Sequence, residues 1–304
     1  MMTSTKLLAP FRKRLKHKPH SPGILPGGFF FKCDNSLAVV YVPVIFRLGF
    51  HSLHCSPGRR HVTAPYWIDK NNPNLEFPAA ELALDEPNGL LAVGGDLSPA
   101  RLIQAYLQGL FPWFSDDQPI LWWSPSPRAV LFPDQLHISR SLQKTIRSHQ
   151  FRISLDQDFE AVVKHCAMPR QDESGTWITA EMQTAYIELH HMGIAHSVEA
   201  WQDDILVGGL YGIALGQVFF GESMFSLKNN ASKVAFVHLV RQLQQWHYAL
   251  IDCQVSSEHL KTLGATDISR DRFLKLLDKH ACVRNEPQHW RFDDHFTVLG
   301  SEPA

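Results

Sequence analysis

The sequence predicts a mixed α/β protein, with a small N-terminal α+β unit ahead of a larger layer of strands and helices. Three observations carry this. After Thr179, helical periodicity runs to about His191 and Gly193, then gives way to strand-like runs at 196–201, 205–213 and 217–221, punctuated by Asp203-Asp204 and Gly216. Asn230 then opens a long helix through Trp246, followed by a short apolar strand at 249–255 and helices near 257–263 and 270–279. Upstream, Ser98 as N-cap and Pro99 at the first helical position precede Leu102, Ile103, Tyr106 and Leu107 on one face, and Gly109 closes the helix.

A further helix starts at Ser139. It turns Leu142 and Ile146 to one side and Arg140, Lys144 and Arg147, at i, i+4 and i+7, to another. The chain divides on this reading into an extension (1–65), a small α+β domain (66–132), a larger domain (133–285) and a tail (286–304). The extension holds ten Lys or Arg and one acid, Asp34, and its apolar run from Leu37 to Phe46 is half of what a bilayer crossing needs. It is expected to be disordered, or to lie upstream of the true start, for which Val62 is a candidate initiator.

The full chain of 304 residues has 29 basic and 30 acidic side chains. Removing the extension leaves nineteen basic against twenty-nine acidic, a formal −10, so any RNA contact by the body must come from a local basic patch. The Arg140, Lys144 and Arg147 stripe is that patch. Five scattered cysteines without a Cys-x-x-Cys spacing suggest neither a disulfide framework nor a zinc site, and a reducing compartment fits. The seventeen histidines include no His-Glu-x-x-His, and the His190-His191 pair in a helical pattern reads as surface or packing. No metal is expected.

Leu250-Ile251-Asp252-Cys253-Gln254-Val255 places two polar residues inside an apolar strand, and period two puts Asp252 and Gln254 on one face. They are either a buried polar pair satisfied by the backbone or a carboxylate and an amide at the floor of a cleft. Phe219-Phe220-Gly221-Glu222-Ser223-Met224-Phe225 ends an apolar strand on a carboxylate flanked by Phe and Met, which suits either plain core or an apolar substrate beside a charge. Gly221-x-Ser223 lacks the second glycine of a nucleophile elbow, so a serine hydrolase is not supported. Tryptophans bordered by Pro and Gly, at Trp113, Trp122-Trp123 and Trp177, either seal a domain join or stack on nucleobases, worth ~1–3 kcal/mol per base.

With these residues assembled, the chain resembles the bacterial leucyl/phenylalanyl-tRNA–protein transferases. The matching blocks begin at Glu86-Pro-Asn-Gly, Gly109-Leu-Phe-Pro-Trp-Phe, Leu121-Trp-Trp-Ser-Pro-Ser-Pro-Arg, His137-Ile-Ser-Arg, Gly175-Thr-Trp-Ile-Thr, Gly221-Glu-Ser-Met-Phe-Ser and Leu250-Ile-Asp-Cys-Gln, in order from about 66 to 280. The resemblance implies an acetyltransferase-like (GNAT-like) mixed-sheet domain that uses no acyl-CoA or other cofactor. Its donors would be Leu-tRNA and Phe-tRNA, with Met as a further donor, and its acceptors proteins with N-terminal Arg or Lys, marked thereby for degradation in the cytoplasm. Trp113 and Trp177 would hold the terminal adenosine, and Phe219, Met224 and Ser223 would line the substrate pocket. Asp252, Gln254 and Glu222 would surround the ester, with Asp252 accepting the amine's proton. The stripe corresponds to a tRNA-contacting helix, although Gln143 and Ser148 stand where some relatives carry further basic residues. A non-catalytic RNA-binding module would leave Asp252 and Glu222 unexplained. An acyl-CoA-dependent enzyme would need a Gly-rich turn where Ser226-Leu-Lys-Asn-Asn230 stands.

Overall fold

The computed structural model describes residues 31–33, 36–38, 64–168, 178–283 and 289–299. Within the extension, β1 (Phe31–Cys33) and β2 (Ser36–Ala38) pair antiparallel, and the rest of 1–63, with Val62, lies outside the described residues. The body is a mixed α/β fold with two mixed sheets and seven helices among the described residues.

The small sheet orders β3 (Tyr66–Ile68), β4 (Leu90–Gly94), β6 (Leu121–Trp123) and β5 (Phe111–Pro112), with β3 parallel to β4 and the other pairs antiparallel. Between β4 and β5 runs α1 (Pro99–Leu107), where predicted. Ser98 does stand at its N-cap, but its hydroxyl caps nothing. Asp96 instead accepts the Ser98 N–H and pairs with the buried Arg101, a local turn that sequence periodicity does not reveal.

The large sheet is seven-stranded. Its order is β13 (Thr266–Ile268), β7 (Arg128–Leu131), β12 (Leu250–Gln254), β11 (Val218–Ser226), β10 (Ile205–Leu215), β9 (Ala195–Gln202) and β8 (Arg152–Leu155). Only β11 and β12 run parallel, because α5 (Ala231–Gln245) carries the chain back between them. α2 (Arg140–Arg147) and α4 (Ala180–His191) begin where read from sequence, with Ser139 Oγ accepting Leu142 N–H and Thr179 Oγ1 accepting Met182 N–H. α3 (Phe159–Cys166), capped by the Asp158 side chain on the Ala161 N–H, was not read from sequence. α6 (Glu258–Lys261) and α7 (Arg270–His280) fall close to expectation.

Two apolar layers sandwich the sheet. α5 and α2 cover one face, where Leu142, Ile146, Val234, Leu239, Phe219 and Ile251 pack together with Trp290 and Phe292 of the tail. The other face meets α1, α3, α4, α7 and the small sheet through Tyr106, Phe159, Met182, Tyr186, Phe220 and Phe273. Because the parallel register sets Phe220 opposite Asp252, the Asp252 side chain belongs to this second face, and Phe219 and Ile251 to the first. Cys282 is disulfide-bonded, which the cysteine spacing did not suggest, since separation along a chain says nothing of approach in space; Cys166 and Cys253 form no disulfide. No described helix is long and apolar enough to cross a membrane.

Candidate active site

Two bulges on neighbouring strands build the site. Against β10, Tyr211 pairs Ser223 while Gly212 pairs Gly221, so Glu222 is the extra residue of β11. A Cβ at Gly212 would collide with the Phe220 carbonyl and the Phe219 ring, so only glycine fits opposite this bulge. Against β7, Asp252 pairs Val130 while Gln254 pairs Ala129, which makes Cys253 the extra residue and leaves Gln254 at φ 61°. Bulges re-aim side chains and end pairing, and here the parallel ladder between β11 and β12 stops at Phe220 and Asp252. Beyond that point Glu222 and Gln254 face each other across an opening at the carboxyl ends of two parallel strands, bridged by a Gln254 Nε2–H bond to Glu222 Oε1 of 2.8 Å.

Asp252 is fully buried and held by three donors. Arg128 Nε and Nη2 reach Oδ1 and Oδ2 at 2.8 and 2.6 Å, and the Gln254 N–H reaches Oδ1 at 2.9 Å. The Arg128 guanidinium, also fully buried, lies between the Phe111 and Phe273 rings and donates a third bond to the Gly109 carbonyl. Both charges are thereby compensated, as a buried pair must be. Arg128 was not among the site residues read from sequence; its signal was an arginine opening the wholly buried strand Arg128–Leu131.

Glu222 sits differently. Its Oε1 is 2.8 Å from Tyr106 Oη, its Oε2 is 2.7 Å from Tyr186 Oη, and the two phenolic oxygens are 2.6 Å apart. Three short O···O contacts in a ring need three protons, and two phenols supply two. Tyr106 and Tyr186 each donate to one oxygen of the ionised carboxylate, which leaves their own contact without a proton; when Glu222 is protonated it donates to Tyr186, Tyr186 to Tyr106 and Tyr106 back to Oε1. The electrostatics agree: burial pushes the Glu222 carboxyl up to about 7 and the nearby Asp252 charge adds to this, while hydrogen bonds from Tyr186, Tyr106 and Gln254 pull it back. Burial, reinforced by Glu222, holds both tyrosines well above their ordinary range, so they remain donors.

Of the residues read from sequence, Asp252, Gln254 and Glu222 therefore come together. Ser223 and Met224 follow directly on Glu222 and are half-buried. Phe219 lies across the sheet from Glu222, on the α5 face with Met224, its ring 5.9 Å from that of Trp290. Trp113, just past β5, is 49% exposed and meets Trp123 edge-on at 5.7 Å. Trp177 lies outside the described residues. Arg140, Lys144 and Arg147 are exposed along α2, as the stripe requires. His190, read as surface or packing, stacks on Phe159 at 4.2 Å; with His196 and Asp156 it gathers ligand-type atoms within 4.8 Å. In that group His196 Nδ1 bonds Asp156, His196 Nε2 bonds Gly193 O and His190 Nδ1 bonds Ala195 O, while the His196 ring stacks on Trp290. It reads as a hydrogen-bonded packing cluster.

A buried carboxylate poised near neutrality beside a fixed ion pair, at the open end of a parallel strand pair, has the make-up of an acid–base centre. Comparison with known proteins gives the class. The family model described as leucyl/phenylalanyl-tRNA protein transferase matches residues 130–278, and that of its N-terminal domain residues 95–126, which defines the chain as an aminoacyltransferase. A leucyl/phenylalanyl-tRNA–protein transferase of Cellvibrio japonicus is 60% identical, covering 71% of this chain and 93% of the relative. That of Azotobacter vinelandii is 61% identical, over 68% and 92%; that of Alkalilimnicola ehrlichii is 56% identical, over 75% and 89%. The chain belongs to the leucyl/phenylalanyl-tRNA–protein transferase family. A solved structure, L-PGS from Bacillus licheniformis, aligns at 12% identity and TM-score 0.32 over 57% of this chain and 56% of its own, too little to carry an argument.

Proposed function

We propose that this enzyme moves a leucyl or phenylalanyl group, with Met as a further donor, from the 3′ end of a charged tRNA to the α-amino group of proteins beginning with Arg or Lys. It would act in the cytoplasm and create a degradation signal. The names of the relatives support the donor. The observation that carries the mechanism is the Glu222 ring of hydrogen bonds facing Gln254 across the strand opening.

An aminoacyl ester is already activated, so the protein must place the amine, accept a proton and return one. The amine nitrogen attacks the ester carbonyl, the bond to the ribose oxygen breaks, and the proton lost from nitrogen passes to Glu222 and on to the leaving hydroxyl. With its carboxyl at about 7, Glu222 suits both transfers near neutral pH. Asp252, its oxygens filled by Arg128 and Gln254, acts in this reading as an anchor for the β12 bulge and takes no proton. Gln254 holds Glu222 and contacts the ester. The apolar donor side chain enters through the opening towards the α5 face, where Phe219 and Met224 lie, and Trp113 with Trp177 stacks the terminal adenine. The three antiparallel strands β9 to β11, the return through α5 and the opened parallel pair support an acetyltransferase-like fold. The two sheets support a small domain over 66–132 and a catalytic one over 133–285, with β7 leaving the first span to pair in the second sheet.

Labelled Phe-tRNA incubated with a peptide starting in Arg should transfer label to the peptide, whereas an N-acetylated copy should receive none. A protein that binds the tRNA and transfers nothing would leave the RNA-binding module as the better reading.

A further inference from the structure

Tyr211 lies in the run Gly208-Gly209-Leu210-Tyr211-Gly212 of β10, opposite Ser223 and so beside the bulge that carries Glu222. Its side chain belongs to the same apolar layer as Tyr106 and Tyr186 and is fully buried, with the ring edge-on to Tyr186 at 5.3 Å and to Phe159 at 5.8 Å. The Tyr211 hydroxyl makes no hydrogen bond among the described residues. A buried phenol ordinarily finds a partner, and one without pays for desolvation with nothing in return. The hydroxyl is nevertheless close to the centre. After burial, the Glu222 charge is the next cause that holds Tyr211 well above its ordinary range, ahead of Cys166.

The chemistry of the Glu222 ring says what such a donor is for. With Glu222 protonated, the three O···O contacts hold three protons and need no further donor. When Glu222 ionises, Tyr106 and Tyr186 both donate to the carboxylate, and their own oxygens, 2.6 Å apart, face each other without a proton. That contact must open. Around the carboxylate stand Tyr106 from α1, Cys166 from α3, Tyr186 from α4, Tyr211 from β10, and Asp252 with Arg128 from β12 and β7. Arg128 is taken up by Asp252 and the Gly109 carbonyl, and Tyr106, Tyr186 and Gln254 already donate to Glu222. Of the three phenols, that of Tyr211 alone is uncommitted.

We propose that Tyr211 is a positioning residue for the base: its hydroxyl is idle while Glu222 is protonated and donates into the Glu222–Tyr186 pair once the proton leaves. It thereby holds the ionised carboxylate ready for the amine's proton. The inference rests on the reading of Glu222 as base and adds a donor that no sequence motif brought forward.

The test is Y211F, alone and combined with E222Q. Melting is followed from pH 5 to 9, and so is transfer of labelled Phe from Phe-tRNA to a peptide starting in Arg. Losing a donor to the charged form raises the Glu222 carboxyl, so the rising limb of kcat/KM should move up from about 7 by about one pH unit. Transfer should then be about tenfold slower than wild type at pH 6, the gap narrowing as pH rises. At pH 5 the hydroxyl is idle, and Y211F should melt no lower than wild type. Both proteins lose stability together from pH 4.5 to 7, where wild type levels off while Y211F goes on losing for about one further unit, so its melting temperature should drop below wild type only above pH 7. E222Q cannot ionise, and adding Y211F to it should produce no such pH-dependent gap. An even loss of rate at every pH, with the limb unmoved, would reduce Tyr211 to packing and overturn the proposal. So would a Y211F that fails to fold or melts lower than wild type at pH 5, since a hydroxyl idle in the protonated enzyme is not needed there. A wild type that transfers nothing, or shows no limb near 7, would instead fault the reading of Glu222 as base, and the melting comparison, which needs no transfer, would still decide on Tyr211.

Discussion

Glu222→Gln separates the catalytic and structural consequences of one buried carboxyl. Folded, Glu222 keeps its proton to about pH 7, whereas the unfolded chain releases it near 4.5. Below 4.5 both states are protonated and the group leaves stability unaffected. Between 4.5 and 7 only the unfolded chain ionises, so wild-type stability falls as pH rises, and above 7 the loss levels off. At about 1.36 kcal/mol per pH unit, that loss is about 3 kcal/mol. The substituted glutamine cannot ionise, and its amide can donate to Tyr186 while its carbonyl accepts from Tyr106 and Gln254, so the ring of bonds survives. The variant should therefore gain melting temperature over wild type progressively from pH 4.5 to 7, reaching about 5–10 °C at pH 8. Transfer should fall in the same protein by ~10²–10⁴-fold in kcat with donor binding kept. The rising limb of wild-type kcat/KM near 7 should disappear, leaving only the acceptor amine's own titration near ~7.7–8.0. Melting curves and transfer rates across pH 4–9 decide. Near-normal turnover in a variant with no pH-dependent gain in melting temperature would refute both the raised carboxyl and its role as base.

Arg128→Met should destabilise the fold by about 3–5 kcal/mol, read from urea midpoints, because it strands a buried Asp252 carboxylate. Adding Asp252→Asn to it should recover part of the loss, and additive losses would show that the two do not act as a pair. Asp252→Asn alone should lower transfer and move the pH limb below 7 without abolishing it, since Glu222 sets that limb and the lost Asp252 charge is one cause of its raised value; loss of the limb would return the base to Asp252. Changing Arg140, Lys144 and Arg147 together to Ala should weaken intact tRNA binding and flatten its salt dependence while sparing a short aminoacyl-adenosine donor. Equal loss with both donors would remove those residues from the tRNA surface.

The helices with side-chain caps and a two-sided pattern were legible because their determinants are local: Ser139 and Thr179 bond N–H groups three residues on, and Leu142 and Ile146 recur at helical spacing. The meander was legible from its turns, but β11 was expected to end near 221. It runs to Ser226 because the Glu222 bulge lets it keep pairing with β10 after its ladder with β12 stops. Polar residues in apolar strands marked Asp252, Gln254 and Glu222. What period two could not give was their partners. Arg128 is 124 residues from Asp252, and Tyr106 and Tyr186 lie on two helices, where they read as ordinary apolar-face positions.

Two carboxylates at neighbouring strand ends thus occupy environments that drive them apart in function. Asp252 meets a guanidinium fork and a backbone N–H, which fill its oxygens and fix its position. Glu222 meets only neutral donors in a buried ring with one proton too few, partners that favour sharing a proton near neutrality. The Asp252 charge is one cause of the other's shift, so the partner of Arg128 bears on the Glu222 carboxyl as well as holding the bulge. In the proposed reaction, which takes a proton from an amine and hands it to a departing alkoxide, Glu222 is the group poised near neutrality and the Arg128–Asp252 pair the frame beside it.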